Sequence, residues 1–406
     1  MLDFDSALAQ LIAQARVVTT TETVPLADAL GRVLASDLTS AINVPGFDNS
    51  AMDGYALHVP DFACPPEQYP VVQRIAAGEV GMALKPGEAA RIFTGAPIPA
   101  GANAVAMQEV CSVNDGQLTV NIALQDGANI RRIGDDIAAG AVILTRGSVL
   151  SPAMIGLAAS VGVAELPVMA SLRVALLSTG DELVEPGQPL AGGQIYNSNR
   201  YVLINALKVL GCAVTDLGIV PDDRAATIAA LQAAAESHDI LLTSGGVSVG
   251  EEDHVKAAVE YLGELNLWKI AIKPGKPFAY GKLNKQDSYG RIGGCDFIGL
   301  PGNPVSALVT FLMLVRPFIL ARQGVQQIQP TRLPLIADFD WKKAGDRREF
   351  LRVRLNAAGR LELFAKQGSG VLTSMVWGDG LVDLPAGQTI ARGDVVTYIP
   401  FAGLGA

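Results

Sequence analysis

Hydrophobic positions along the chain change period several times, and each change marks a change of element. Residues Asp5 to Ala15 carry apolar side chains at helical spacing, and Leu26 to Ala35 repeats the trend, so two helices are expected at the start. Segment 44–56, VPGFDNSAMDGYA, has the Pro, Gly, Asn and Asp content of an exposed but ordered loop. From Tyr69 to Ile122 short β-like runs take over, among them VVQRIAAG, ARIFTG and QLTVNI, punctuated by Gly and Pro. IRRIGDDI (130–137) leads back out, and VLSPAMIGLAASVG reads as a further helix.

From Leu172 strand and helix alternate. RVALLST, AVTDLGIV, DILLTS and IGLPG read as strands, separated by the helical runs YVLINALKVLG, RAATIAALQAAAES and HVKAAVEYLG. A long helix follows from near Pro304. Such spacing implies βαβ units and a parallel sheet. After Ala321 the pattern turns to β hairpins, with Gly-Arg of NAAGRL as a candidate turn. The expected class is therefore α/β with additional β domains. It comprises a discontinuous N-terminal helical or linker domain (1–50 and 133–171), an inserted β-rich domain (51–132), a central parallel-sheet α/β domain (172–324) and a β-barrel-like C-terminal domain (325–406).

Composition narrows the chemistry. With 406 residues several cores are expected, and a hydrophobic share of 50% against 17% charged excludes a disordered chain. A net charge of -9 argues against a nucleic-acid partner, which needs clustered Lys and Arg, but leaves room for a local anion pocket. Cys64, Cys111, Cys212 and Cys295 form no CxxC pair, and His58, His238 and His254 complete no zinc-ligand spacing. The N-terminus carries acids where a signal peptide carries bases, and the apolar run Ala307–Leu320 is broken by Arg316-Pro317. A cytoplasmic chain with no membrane partner is expected. Walker A, GxGxxG and HExxH motifs do not occur, so acid–base work would fall to carboxylates, lysines or metal-bound water.

Ligands in open parallel sheets gather at the carboxyl ends of the strands. Four loops at such ends carry unusual residues. STGDELVEPG (178–187) offers Thr179, Gly180, Asp181 and Glu182, although acids in a first helical turn also serve as caps. In VPDDR (220–224), Asp222 or Asp223 caps the next helix and leaves the other free. TSGGVSVGEEDH (243–254) pairs the bare backbone of Gly245 and Gly246 and the Ser248 hydroxyl with Glu251, Glu252 and Asp253. Acids beside an anion-binding backbone call for a cation, and Mg²⁺ takes carboxylate and phosphate oxygens together. GLPGNPVSA (299–307) is a second Gly-rich turn, with Asn303 and Pro304 suited to a helix start. Between the last two loops, Lys269, Lys273 and Lys276 recur in LWKIAIKPGKPFAYG, where they could neutralise several oxyanion charges or form a solvated basic edge.

Taken in order, SAMDGYA (50–56), FTGAPIPAGANAV (93–105), RRIGDD (131–136), STGDEL (178–183), TSGGVSVGEEDH, KPGKPFAYG (273–281) and LPGNPVSA (300–307) resemble the molybdopterin molybdenumtransferase family of the bacterial MoeA type, related to the gephyrin E domain. The resemblance spans essentially the whole chain, more loosely over the last 80 or so residues. It implies a Mg²⁺-dependent insertion of molybdate into adenylylated molybdopterin with release of AMP. It also implies a four-domain homodimer whose cleft lies at the subunit interface, and transient contact with the molybdopterin adenylyltransferase and cofactor acceptors. By motif, Asp222 and Asp253 would serve the metal, with Glu182 close by and Ser248 in the same pocket. Lys273 and Lys276 would hold the oxyanion with Lys269 on the neighbouring strand. Pro301, Asn303, Pro304 and Ser306 would shape the pterin pocket. Asp53, Thr94, Arg131 and Asp136 would reach in from the partner, and Arg348 or Arg352 with Ser369 or Ser374 would complete the oxyanion site. The adenylylating enzyme of the same pathway has a similar α/β domain, and a gephyrin-like scaffold is the non-enzymatic alternative. The flanking domains favour the molybdenum-inserting type.

Overall fold

Strand residues with period-2 hydrophobicity on both faces explain the centre of the molecule. In this computed structural model, which describes residues 1–59, 68–246, 254–286 and 292–404, Val174 and Leu176 of the strand Arg173–Thr179 join one core. Ala175 and Leu177 of the same strand join another core on the opposite face. Ile240 and Leu242 against Leu241, and Ile298 against Phe297, split in the same way. A strand buried on both sides must be covered by helices on both sides. The helices Ser198–Val209 and 304–322 cover the first face, and Arg224–Ser237 and His254–Leu262 cover the second.

The six-stranded sheet runs Ala213–Val220, Arg173–Thr179, Ile240–Ser244, Ile292–Leu300, Pro277–Gln286, Gly263–Lys269. Its first four strands are parallel, and Pro277–Gln286 runs antiparallel to both its neighbours, so the sheet is mixed rather than purely parallel. Ahead of the antiparallel strand Pro277–Gln286, the segment KPGK makes an irregular bend from Ile272–Lys273.

Helix 304–322 has the length and hydropathy of a membrane span, yet 83% of it lies inside the protein. It is a core helix whose π-helical turn Phe311–Val315 precedes Pro317, a residue that cannot continue the regular hydrogen-bond ladder. Near its end, Arg322 pairs with Asp296, a carboxylate only 2% exposed that also accepts from the Tyr280 hydroxyl at 2.7 Å. Burial pushes the Asp296 carboxyl up, and Arg322 opposes that shift.

The first helix, Phe4–Ala13, departs from expectation. Asp3 caps it, accepting from Ser6 N at 2.9 Å, and Phe4, Ala7 and Leu11 bury against the α/β core rather than against residues 20–50. The helix expected over Leu26–Ala35 is a single 3-10 turn, Leu26–Asp28. Alongside it the strands Thr21–Pro25 and Glu165–Met169 pair, as do Leu38–Thr39 and Val142–Leu144, with helix Pro152–Ser160 packed on their core. The region expected to be helical is therefore built mainly from strands that flank the insert. The insert itself is a six-stranded sheet in the order Ala104–Met107, Gly54–Leu57, Ala89–Ile92, Tyr69–Ile75, Gln117–Val120, Cys111–Asn114.

The C-terminal sheet runs Arg348–Leu355, Gly380–Leu384, Val395–Pro400, Leu333–Ile336, with Leu361–Leu363 beside the first strand. A bridge between Ala337 and Leu361 closes the path into a small barrel filled by Phe339, Leu351, Val382 and Tyr398. Asn356, whose side chain accepts from the N–H groups of Ala358 and Arg360, closes the turn read at Gly-Arg.

Replacing Asp296 by Ala leaves the Arg322 guanidinium buried without its counterion. The variant should lose about 3–5 kcal/mol of unfolding free energy, measured by urea unfolding followed by circular dichroism. A loss below about 1 kcal/mol would show that the pair is dispensable.

Candidate functional site

The strands Arg173–Thr179, Ile240–Ser244 and Ile292–Leu300 end side by side, because Ser178 is in register with Ser244 and Ser244 with Leu300. Over these carboxyl ends opens a cleft of about 900 Å³, closed on its far side by the C-terminal domain. Its walls combine the turns at Gly245–Gly246 and Pro301–Pro304 with Lys273, Lys276, Arg347 and Ser369.

The glycine turn is sterically required. Gly246 has φ +67, and a Cβ there would sit 2.7 Å from Val255 Cγ2 and 2.9 Å from Thr179 Oγ1. The turn is also tied down: Gly245 N–H donates to Leu300 O at 3.0 Å, and Thr243 Oγ1 donates to Gly245 O at 3.1 Å. Since the Gly245 N–H has a backbone partner, Gly246 is the better placed of the two to offer its N–H to an anion. Ser248, Glu251, Glu252 and Asp253 lie outside the described residues. At the other turn Pro304 opens the helix and Asn303 caps it by position, without a side-chain hydrogen bond. Val305 N–H donates to Ser369 O at 2.9 Å, which fastens the Ser369 loop to that helix start. Ser306, 4% exposed, also lines the cleft.

Two lysines face these turns from KPGK. Gly275, with φ +113 and the Thr310 hydroxyl where a Cβ would stand, sets the bend between them. Lys276 is exposed. Lys273 is half-buried, and its Nζ lies 3.1 and 3.2 Å from the two carboxylate oxygens of buried Glu349 and 5.9 Å from the Trp341 ring. The backbone repeats this link, since Ile272 and Lys273 pair in parallel with Arg348 and Glu349. Lys269 does not line the cleft; its carbonyl accepts from Leu2 N–H at 2.9 Å, anchoring the N-terminus.

Glu182 is an acidic cleft residue whose carboxylate overlies Gly180. Asp223 caps the helix Arg224–Ser237, accepting from Ala226 N–H at 2.8 Å, and so leaves Asp222 free. Asp222 Oδ1 stands 4.0 Å from His254 Nε2 and outside the cleft wall. Among the described residues no group of three His, Cys, Asp or Glu is placed to hold a metal ion.

The C-terminal candidates sort sharply. Ser369 lines the cleft. Arg348 turns away, with its guanidinium on Asp383 at 2.6 and 2.7 Å and on Asp5 at 2.8 Å. Arg352, 1% exposed, donates to Ser374 Oγ, Phe350 O and Gly368 O at 3.1, 3.0 and 3.3 Å. Burial pushes its guanidinium down to about 10, with Glu349 opposing. Ser374, fully buried, accepts from Arg352 and donates to Val371 O. Arg352 and Ser374 therefore brace the Gly368–Gly370 segment from behind. The arginine in the cleft wall is Arg347, which the sequence reading did not select. In GDRREFLR the strand begins at Arg348, so Arg347 is the last loop residue and is free of the strand's in-and-out alternation.

Asp53, Thr94, Arg131 and Asp136 sit on the inserted domain and its stalk, and none lines this chain's own cleft. Asp53 precedes the strand Gly54–Leu57 and accepts from Thr94 N at 2.8 Å and Thr94 Oγ1 at 2.7 Å. The Thr94 backbone and side-chain hydrogen bonds hold the Asp53 carboxyl below its ordinary value. Arg131 and Asp136 are exposed on either side of the turn at Gly134.

Three family models account for most of the chain: the MoeA N-terminal region (domain I and II) over residues 2–162, the probable molybdopterin binding domain over 175–321, and the MoeA C-terminal region (domain IV) over 334–401. A Haemophilus influenzae protein named molybdopterin molybdenumtransferase is 43% identical over 413 residues, covering 99% of each chain. A Mycobacterium tuberculosis protein named molybdopterin molybdenumtransferase 2 is 38% identical over 89% of this chain and 90% of its own. The crystal structure of a molybdopterin biosynthesis MoeA protein from Pyrococcus horikoshii superposes with a TM-score of 0.84 at 27% identity, over 98% of this chain and 100% of that one. With relatives this similar along its whole length, the chain belongs to the molybdopterin molybdenumtransferase family of molybdenum cofactor biosynthesis.

Proposed function

We propose that the cleft over the α/β sheet inserts molybdate into adenylylated molybdopterin and releases AMP. The observation that carries this reading is the meeting of Lys273, Lys276 and Arg347 with two tight glycine turns in one cleft of a chain whose net charge is -9. Molybdate and a phosphoanhydride are both multiply charged, and bringing them together needs fixed cations and backbone N–H groups. Lys276 and Arg347 would meet the oxyanion, with Ser369 donating a hydroxyl. Pro301, Pro304 and Ser306 would wall the pterin. No protein nucleophile is needed for phosphoanhydride cleavage of this kind, which rests on alignment and charge stabilisation.

The reaction implies a divalent cation. The donors at hand are hard oxygens, Glu182 in the cleft and Asp222 outside its wall, and hard oxygens suit Mg²⁺. When bound, Mg²⁺ would neutralise the phosphoanhydride charge. Glu182, Asp222 and the Asp253 of the motif are the residues to hold it.

The inserted domain is given its role by the dimer. Asp53, Thr94, Arg131 and Asp136 are spare in their own chain's cleft, and in a homodimer they would complete the cleft of the other subunit. We place the protein in the cytoplasm, in transient contact with the enzyme that adenylylates molybdopterin and with cofactor acceptors, and without a nucleic-acid or membrane partner.

Incubation with adenylylated molybdopterin and Mg²⁺ should release AMP only when molybdate is added; release without molybdate would refute insertion. Lys276→Ala should raise the half-saturating molybdate concentration about tenfold through loss of one cation, read from AMP release across a molybdate titration. Light scattering should give twice the 42.4 kDa chain mass, and a mass of one chain would remove the shared cleft. Thr94→Val should let the Asp53 carboxyl titrate at higher pH than in the unaltered protein. Because the native carboxyl is depressed, its ionised, hydrogen-bonded form persists at neutral pH and is lost as pH falls through the folded value. An unchanged titration, followed by carboxyl-carbon NMR, would show that the Thr94 hydroxyl adds nothing to the hold of the Thr94 backbone N–H.

A further inference from the structure

Lys273 differs from the other cleft cations in being matched by a buried carboxylate, whereas Arg347 pairs at 3.5 Å with the exposed Asp346. The Lys273 ammonium lies 3.1 and 3.2 Å from the two oxygens of Glu349, a residue 4% exposed. Glu349 is hemmed in, for a Cβ at Gly345 would stand 2.4 Å from its Oε1. It also neighbours buried Arg352, whose side-chain hydrogen bonds go only to the neutral acceptors Ser374 Oγ, Phe350 O and Gly368 O. A carboxylate pressed against the wall of an anion-binding cleft is electrostatically costly to the ligand, and the fold has built it in through the parallel pairing of Lys273 with Glu349.

We propose that Glu349 sets the affinity of the oxyanion site: its buried charge offsets Lys273, so that a doubly charged oxyanion is held loosely enough to be passed on. This rests on the reading of the cleft as the oxyanion site and deepens it. Two opposing effects decide the sign. Glu349 tethers Lys273, and losing a tether on one long side chain weakens binding by about tenfold at most. Glu349 also repels the ligand. An oxyanion oxygen in contact with Lys273 Nζ would lie roughly 6 Å from the Glu349 carboxylate, where a unit charge acts on a dianion at the hundredfold level in a partly screened site. Repulsion outweighs tethering, so removing the charge of Glu349 tightens binding.

Equilibrium dialysis of the full chain against molybdate tests this. Glu349→Gln should lower the half-saturating molybdate concentration about tenfold. Lys273→Gln, which leaves Glu349 unmatched, should raise it at least tenfold, and adding Glu349→Gln to Lys273→Gln should recover most of that loss. Glu349→Asp, which keeps the charge, should stay near the unaltered protein. A Glu349→Gln variant that binds no tighter, or a double variant as weak as Lys273→Gln, overturns the proposal. If Glu349→Gln alone does not fold, the double variant decides, because it removes the pair as a unit. Lys276→Gln separates the two levels of inference. If it leaves molybdate binding unchanged, the oxyanion site itself is misplaced; if it weakens binding while Glu349→Gln changes nothing, only the role of Glu349 fails.

Discussion

Ile272 and Lys273 leave the α/β domain for two residues, pair in parallel with Arg348 and Glu349 of the C-terminal sheet, and return through KPGK to the antiparallel strand Pro277–Gln286. The flanking contacts repeat the tie. Leu2 N–H donates to Lys269 O, Ala271 N–H to Leu2 O, and Arg348 N–H to Ala271 O. Three parts of the chain distant in sequence are thereby fixed against one another at the rim of the cleft. The lysines, the Ser369 loop and the glycine turns can face each other only because this seam sets where the C-terminal domain stands.

The seam also explains why charge in the cleft is graded. Lys276 projects from the loop with no carboxylate to answer it among the described side-chain contacts, whereas Lys273 is fixed by the same strand pairing that brings Glu349 beneath it. Arg348, one residue before Glu349, and Arg352, three residues after it, are committed elsewhere, the first to Asp383 and Asp5 and the second to buried Ser374 and Gly368. Of these five cationic positions close in sequence or register, the fold leaves Lys276 exposed, half-buries Lys273 and Arg347, turns Arg348 onto Asp383 and Asp5, and buries Arg352.

The α/β core was legible from the sequence because strands buried on both faces are continuous in hydrophobicity and their helices are long. The four loops at the strand ends follow from the same alternation, which makes Gly245 and Gly246 legible, whereas Lys273 and Lys276 stand out only by their recurrence between two of those loops and Pro301 only by the family resemblance. The N-terminal region was read less well. Leu26–Ala35 has helical spacing, but Ala29 and Leu34 bury against Val24 and Val168 of paired strands, and tertiary packing overrode a weak local preference. The first helix was recognised, yet nothing local could show that Phe4 and Leu11 belong to a core whose other residues begin only at Leu172.

The choice among Arg347, Arg348 and Arg352 shows where sequence reasoning stops. All three lie in one short basic run, and which of them meets solvent depends on the residue at which the strand begins and on how many buried acceptors wait beneath it. Asp383, only 5% exposed, already holds Arg348 and Arg332, so the arginine beside it is committed to structure. The Ser374 hydroxyl and the Phe350 and Gly368 carbonyls hold the Arg352 guanidinium, while Gln367 bonds its backbone, and together they shape the loop that carries Ser369. The residue left for the cleft is Arg347, whose ties are longer and less buried: a 3.4 Å hydrogen bond to Ile272 O and a 3.5 Å ion pair with the exposed Asp346. A site of this kind is recognised by subtraction: the cations that the fold has not already used are those available to a ligand.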